Sequence, residues 1–186
     1  MADPLVKDHA ELDHLFRDLL VELDRGGARR VLPKLDMVWA RLAVHIRAEH
    51  LHLFPALLKA ADRTPERATV PPPAAEEVRA CVERLREDHD FFMRELAGCV
   101  NALRDVAAKD SPPDEQLRSV KRRVVAVCER LAEHNRLEEE RAYPWRQVLL
   151  EHGEQEELLA MLKREIENLP PRFTPPVSGA NSEDER

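Results

Sequence analysis

The sequence predicts an all-α protein, an up-and-down antiparallel four-helix bundle with a short extra C-terminal helix. Three observations lead to this fold. The 186 residues suit one domain with a core of its own. Glycine occurs 5 times, aromatic content is 4% and charged residues make up 35%, a composition typical of long amphipathic helices. Apolar residues recur at intervals of three and four along four long segments, which is the spacing of one helix face.

Each of the four segments is bounded by residues that end or interrupt a helix. The predicted helices cover about 5–24, 32–61, 74–109 and the chain from 114 onwards. The glycine pair 26–27 ends the first helix, and Pro33 is tolerated in the first turn of the second. Proline-rich stretches at 62–73 and 110–113 flank the third helix. A shorter amphipathic helix over 154–168 is expected to pack outside the bundle.

One bundle domain is predicted over 1–169, followed by a polar tail, 170–186, that is expected to be disordered. Composition also indicates where the protein is located and which partners it lacks. The net charge of −7 argues against a nucleic-acid surface, and no stretch has the ~20 apolar residues that span a bilayer. Cys81, Cys99 and Cys128 lack paired or metal-binding spacing, which favours packing in a reducing cytosol over thiol chemistry. We therefore predict a cytoplasmic protein that binds neither nucleic acid nor membrane.

The chain contains a weak internal repeat. The dipeptide Asp-His at 8–9 recurs at 88–89, and HIRAEHLHLFP at 45–55 is echoed by HNRLEEERAYP at 134–144. In both longer segments a histidine precedes a glutamate by four residues, and an aromatic-proline pair begins five residues after that glutamate. Two similar helix pairs predict pseudo-twofold symmetry with a site on the axis.

Six polar residues interrupt the apolar stripes at core-facing positions. They are His9, His45, Glu49, His89, His134 and Glu138. A buried carboxylate without a partner costs several kcal/mol, and two close together repel unless a cation compensates them. Residues four apart share a helix face, so each His-x-x-x-Glu pair can offer a nitrogen and a carboxylate to one metal centre. This donor set suits iron, manganese or zinc better than calcium.

Simpler interpretations exist for each residue taken singly. A lone histidine on an apolar stripe is often a core residue, and one His-x-x-x-Glu pair is often an ordinary surface pair. Two such pairs at matched levels favour metal binding. Among the other histidines, His14 is expected to be solvated or to contact a ligand, and at most one of His50 and His52 to face the site. His152 is expected to lie at a helix C-terminus.

The order His, His-x-x-x-Glu, His, His-x-x-x-Glu resembles the hemerythrin-like family, which carries the HHE cation-binding domain. The resemblance covers about residues 5–150 and rests on DHAELDHLF, HIRAEHLHLFP, DHDFFM and HNRLEEERAYP. It implies two non-haem irons with an oxo or hydroxo bridge, and one free position on each iron. It assigns His9 and His45 to one iron, His89 and His134 to the other, and Glu49 and Glu138 as bridges. The implied small ligands are O2, peroxide, NO or water.

This chain departs from the oxygen carriers of that family at two positions. Met93 stands where they have a further histidine, and Glu138 stands where they have an aspartate bridge. The resemblance therefore favours a stress-response protein that binds or reacts with a small oxidant or gas. The alternatives are an iron- or oxygen-sensing or metal-binding module without turnover, an oxygen store, or a purely structural bundle without metal. No catalytic residue is assigned, and a protein redox partner stays open.

Overall fold

The computed structural model describes residues 3–63, 71–107, 114–170 and 173, and within these ranges the regular structure is helical with no strand. The helices are α1 (Pro4–Arg25), α2 (Ala28–Ala48), α3 (Phe54–Ala61), α4 (Ala75–Ala107), α5 (Asp114–Leu137), α6 (Tyr143–Leu149) and α7 (His152–Glu167). Two π-helical turns complete the set: Glu49–Leu53 joins α2 to α3, and Glu138–Ala142 joins α5 to α6. The predicted all-helical class is confirmed.

Four of these helices enclose the core. Helix α1 packs against α2, α2 against α4, α4 against α5 and α5 against α1, so the contacts form a closed ring. The buried apolar residues fall into two clusters. One extends along α1, α2, α4 and α5 and includes Leu12, Leu42 and Leu131. The other lies at the end that α3, α6 and α7 cover, and includes Leu5, Leu53 and Leu85. The six polar core positions lie between the two clusters.

The connection between α1 and α2 is shorter than the sequence predicted. Asp3 caps the N-terminus of α1, where its Oδ1 accepts a hydrogen bond from the Leu5 backbone N–H at 3.0 Å. Gly26 and Gly27 then turn the chain with φ values of 74° and 99°, a conformation that favours glycine. Helix α2 begins immediately afterwards at Ala28, so Pro33 lies inside the helix and not in its first turn.

Each π-helical turn is followed by an aromatic residue and a proline. The backbone N–H of Phe54 bonds to the carbonyl of Glu49, and the N–H of Tyr143 bonds to that of Glu138. A proline cannot donate to the carbonyl four residues earlier and its ring crowds that carbonyl, so a locally wider turn accommodates Pro55 and Pro144. The sequence predicted a continuous helix through both places. Single π turns inside α-helices often mark functional sites.

The additional helix α7 packs on the side of α1 and α2. Its buried residues Leu158, Leu162 and Ile166 complete the second apolar cluster. Gly153 lies in its first turn and does not precede it. The predicted connector and tail fall largely outside the described residues, which end at 170 apart from 173. Among the described helices, none combines the length and apolar character needed to cross a membrane.

Candidate metal centre

The six polar core residues meet at one level of the bundle, and all are buried. Their imidazole rings form two pairs. The Nε2 atoms of His9 and His45 are 3.2 Å apart, and those of His89 and His134 are 3.0 Å apart. These are the two pairs that the sequence resemblance implied.

Glu49 and Glu138 each reach both histidine pairs. The two oxygens of Glu49 lie 3.6 Å from His45 Nε2 and 3.3 Å from His89 Nε2. Those of Glu138 lie 3.1 Å from His134 Nε2 and 3.2 Å from His9 Nε2. One oxygen of each carboxylate therefore faces each pair, which is the arrangement that a bridging ligand needs.

Hydrogen bonding leaves part of both carboxylates unaccounted for. Glu49 Oε2 and Glu138 Oε1 are buried without a hydrogen bond, although each has a ring nitrogen within about 3.3 Å. Donor atoms that converge on a common point, and do not point at one another, have this geometry. Two groups of residues could each hold a metal ion, because the ligand atoms within each group all lie within 4.8 Å of one another. They are Glu49, His89, His134 and Glu138, and His9, His45 and Glu138.

The outward nitrogen of every paired ring has a partner of its own. His45 Nδ1 lies 2.9 Å from Asp8 Oδ2, and His134 Nδ1 lies 3.4 Å from Asp88 Oδ2. Asp8 also binds Arg41, and Asp88 binds Arg130. Such carboxylates fix the tautomer and the orientation of metal-binding imidazoles. The repeated Asp-His dipeptide signalled these aspartates, but each contacts the histidine of the next helix in its half, not its neighbour in sequence.

The residues that follow Glu49 and Glu138 contact the two remaining rings. Glu139 Oε1 lies 2.7 Å from His9 Nδ1, and His50 Nε2 lies 2.9 Å from His89 Nδ1. Glu139 and His50 occupy equivalent places in the repeat, immediately after Glu138 and Glu49. The Nδ1 of His9 thus contacts a carboxylate, whereas the Nδ1 of His89 contacts an imidazole. His50 is the histidine of the pair 50 and 52 that reaches the site.

The charges of the centre reinforce one another. Burial opposes protonation of His45, yet the charge of Glu49 and hydrogen bonds to Asp8 and Glu49 raise its pKa to about 10. Burial opposes protonation of His134 as well, yet Glu138 and Asp88 raise its pKa to about 9. Burial and the charge of Glu49 favour protonation of Glu138, but the adjacent imidazoles lower its pKa. The two glutamates thus draw positive charge into the centre, as protons or as metal.

Tyr143 is a residue of the centre that sequence reasoning missed. Its phenol oxygen lies 2.9 Å from Glu49 Oε1, 3.0 Å from Glu138 Oε2 and 3.0 Å from His9 Nε2. Burial, together with the two carboxylates, raises the pKa of Tyr143 well above its usual range. The sequence signal was the aromatic-proline pair, which marked both halves but was not read as a donor. In the other half Phe54 occupies the equivalent place.

Comparison with known proteins decides the family. The family description "Hemerythrin HHE cation binding domain" matches residues 1–146. The chain belongs to the hemerythrin family. Neither the curated proteins nor the solved structures give a match to the chain. The matched residues of this hemerythrin-family chain include all six polar core positions, and they end before α7.

Three other histidines make contacts outside the candidate metal centre. The side chain of His14 is 65% exposed and pairs with Asp18, so it is solvated. His52 faces Glu165 of α7. His152 is the first residue of α7, so the prediction that it lies at a helix C-terminus is wrong: α6 already ends at Leu149. Met93 is partly buried and packs against the first apolar cluster.

Proposed function

We propose that this hemerythrin-family protein is a non-haem di-iron protein that binds or reacts with a small oxidant or gas, such as O2, peroxide or NO, in a stress response. The observation that carries the proposal is the pair of buried glutamates that each present one oxygen to each histidine pair. Nitrogen and carboxylate donors in this ratio suit iron. In this proposal His9, His45, His89 and His134 are terminal ligands, and Glu49 and Glu138 are bridges in an up-and-down antiparallel bundle.

Two irons with an oxo or hydroxo bridge would supply redox chemistry and open coordination positions. The protein residues have separate tasks around them. Asp8 and Asp88 hold the imidazoles of His45 and His134 with their Nε2 atoms turned inward. Rings of Phe92 and Phe54 pack on His134 and His89 and exclude water from that side.

Burial of the centre limits the size of its ligand. None of the four histidines is more than 4% exposed, and the two glutamates are fully buried. A surface cavity of about 450 Å³ reaches the centre only at His9, and Glu139 also lines it. A diatomic gas or peroxide fits this enclosure better than a larger substrate does. The cytoplasm is the proposed location, where Cys81, Cys99 and Cys128 would stay unpaired as they are here.

The second candidate is a sensing or metal-binding module without turnover, or an oxygen store, built on the same centre. Packing of α7 on α1 and α2 favours it, because Ile166 accepts a hydrogen bond through its carbonyl from Arg41, which also binds Asp8. A change at His45 could therefore be passed to α7. A bundle without metal is disfavoured, because it leaves one oxygen of each glutamate buried without a hydrogen bond.

The test is a metal assay combined with reactivity. Protein expressed in iron-replete medium is assayed for iron, zinc and manganese, and its absorption spectrum is recorded. We expect about two irons per chain and oxo-bridge bands in the near-ultraviolet. Decay of peroxide and of NO is then followed with the same sample. Iron with catalytic decay supports the first candidate, and iron with binding alone supports the second. Stoichiometric zinc, or no metal at all, contradicts both.

A further inference from the structure

The two halves of the centre differ at one aromatic residue. Phe54 and Tyr143 are each the first residue after a π-helical turn, and both are buried. Phe54 stacks on His89 with ring centroids 5.8 Å apart, and Tyr143 stacks on His9 at 5.6 Å. The two equivalent positions therefore place the hydroxyl of Tyr143 at one histidine pair and the phenyl ring of Phe54, which has no hydroxyl, at the other.

Hydrogen bonds alone do not account for the position of the Tyr143 hydroxyl. It lies 2.9–3.0 Å from Glu49 Oε1, Glu138 Oε2 and His9 Nε2. Both carboxylate oxygens accept hydrogen bonds and donate none. The single phenol hydrogen satisfies one of them, so the other contact joins two oxygens with no hydrogen between them.

The distances match a shared metal instead. Donors bound at ~2.1 Å and at right angles around a first-row metal lie ~3.0 Å apart. Around His9 and His45, the phenol contacts, the His9–His45 separation of 3.2 Å and the His9–Glu138 separation of 3.2 Å follow this spacing. The His45–Glu49 separation is wider, at 3.6 Å.

We propose that Tyr143 is a direct ligand of the metal between His9 and His45. The phenol O–H bond breaks as the oxygen lone pair binds the metal, the proton leaves to solvent, and no electron is transferred. This metal then has five protein donors, and the metal at His89 and His134 has four. A phenolate is a known type of iron ligand. The inference rests on the proposed iron centre and makes its two metals unequal.

An unequal centre directs a small ligand to one side. Tyr143 fills a position on the metal of His9 and His45. On the other side, Phe54 supplies no donor atom, and His50 stands behind His89. The more open metal is therefore the one at His89 and His134, and the small ligand binds there, beside the ring of Phe54.

The chain offers an unusually clean test, because Tyr143 is its only tyrosine. Resonance Raman spectra of the ferric protein, excited in the visible, should show tyrosine ring modes enhanced by phenolate-to-iron charge transfer. Tyr143→Phe, which copies Phe54 of the other half, should lose those modes and the visible band while iron stays near two per chain. Phe54→Tyr is the reciprocal variant, and it should add a second phenolate signal and slow azide binding.

The outcomes separate this inference from the proposed function. Iron-loaded wild-type protein without tyrosine modes overturns the ligand role of Tyr143 and leaves the di-iron proposal intact. Protein that takes up no iron overturns both. The wild-type spectrum decides the matter even if Tyr143→Phe fails to fold.

Discussion

His9 and His45 face each other with their Nε2 atoms 3.2 Å apart, although the Nδ1 of each ring lies against a carboxylate. Two neutral rings that both donate from Nδ1 would bring two lone pairs together at Nε2. Such a contact is stable only with a cation between the nitrogens or a proton on one of them. In the metal-free protein a proton on His45 fills this role, because its pKa is raised to about 10, and a metal bound between the nitrogens would replace that proton.

Glu138→Gln should empty the centre of both metals. The substitution keeps the side-chain volume but removes a charge and an oxygen that reach both histidine pairs. We expect iron to fall from about two per chain to a small fraction of that value, measured by metal assay. Metal-free Glu138→Gln should melt lower than the metal-free wild type, because it loses the buried ion pair with protonated His134.

Glu140→Gln is the matched control for that variant. Glu140 is two residues away in the same turn and 60% exposed, and within the described part of the chain its ion pair is with Arg136 at the surface. It should keep the wild-type iron content. Glu139 is unsuitable as a control because it contacts His9. Equal iron loss in Glu138→Gln and Glu140→Gln would show that the carboxylate acts through general charge and not as a bridge.

Metal uptake should release protons. In the metal-free protein His45 and His134 have pKa values of about 10 and 9, so both rings are protonated at pH 7. A metal binds only the neutral ring, so binding displaces about two protons from these rings, and apparent affinity rises with pH up to about 10. The proposed Tyr143 ligand adds a third proton. Anaerobic ferrous titration in weak buffer with an indicator dye counts the protons. Release of no protons at pH 7 would contradict the assignment of these rings as ligands.

The same two histidines predict how metal-free protein responds to alkali. Their folded pKa values lie above the unfolded value of 6.5, so protonation stabilises the fold fully below pH 6.5. This stabilisation is lost progressively as pH rises from about 6.5 to about 10. Melting temperatures of metal-free protein should therefore fall over that range. Metal-loaded protein should change less, because a bound metal replaces the protons.

The cysteines should react slowly in the folded state. Burial raises the pKa of Cys81, Cys99 and Cys128 to about 11, so little thiolate exists at pH 8. Alkylation by iodoacetamide at pH 8 should be at least ~100-fold slower than in denatured protein, since the thiolate is the nucleophile. Mass spectrometry follows each site separately. Fast modification of one folded cysteine would revive a thiol role for it.

Helical periodicity was sufficient to predict the level of the centre. Each of the six polar residues interrupts an apolar stripe, and the stripe alone tells which face is buried. The family resemblance then paired His9 with His45 and His89 with His134, and the structure brings those rings together. The metal ligation itself stays a proposal.

Periodicity failed where the helix geometry changes. At 100° per residue, Glu139 points away from a centre that holds Glu138, and periodicity did not tell which of His50 and His52 faces the centre. Glu139 and His50 lie in π-helical turns, in which successive side chains are separated by a smaller angle, and both reach a ring of the centre. Tyr143 was missed for the same reason. It follows a π-helical turn, so the α-helical spacing of the apolar residues does not predict that it faces the centre.

Asp8→Asn should weaken metal binding without abolishing it. Asp8 is not one of the proposed metal ligands. Its carboxylate accepts a hydrogen bond from the His45 Nδ1–H and holds the ring with Nε2 inward. Loss of such a partner typically lowers metal affinity ~10–100-fold, and we expect that range in competition with a chelator of known affinity. Asp13→Asn, on the exposed face of α1, should match the wild type. Unfolding of the metal-free variant is measured in parallel, since Asp8 also binds Arg41. Reduced stability with unchanged metal affinity would mean that Asp8 supports the fold alone and does not position His45.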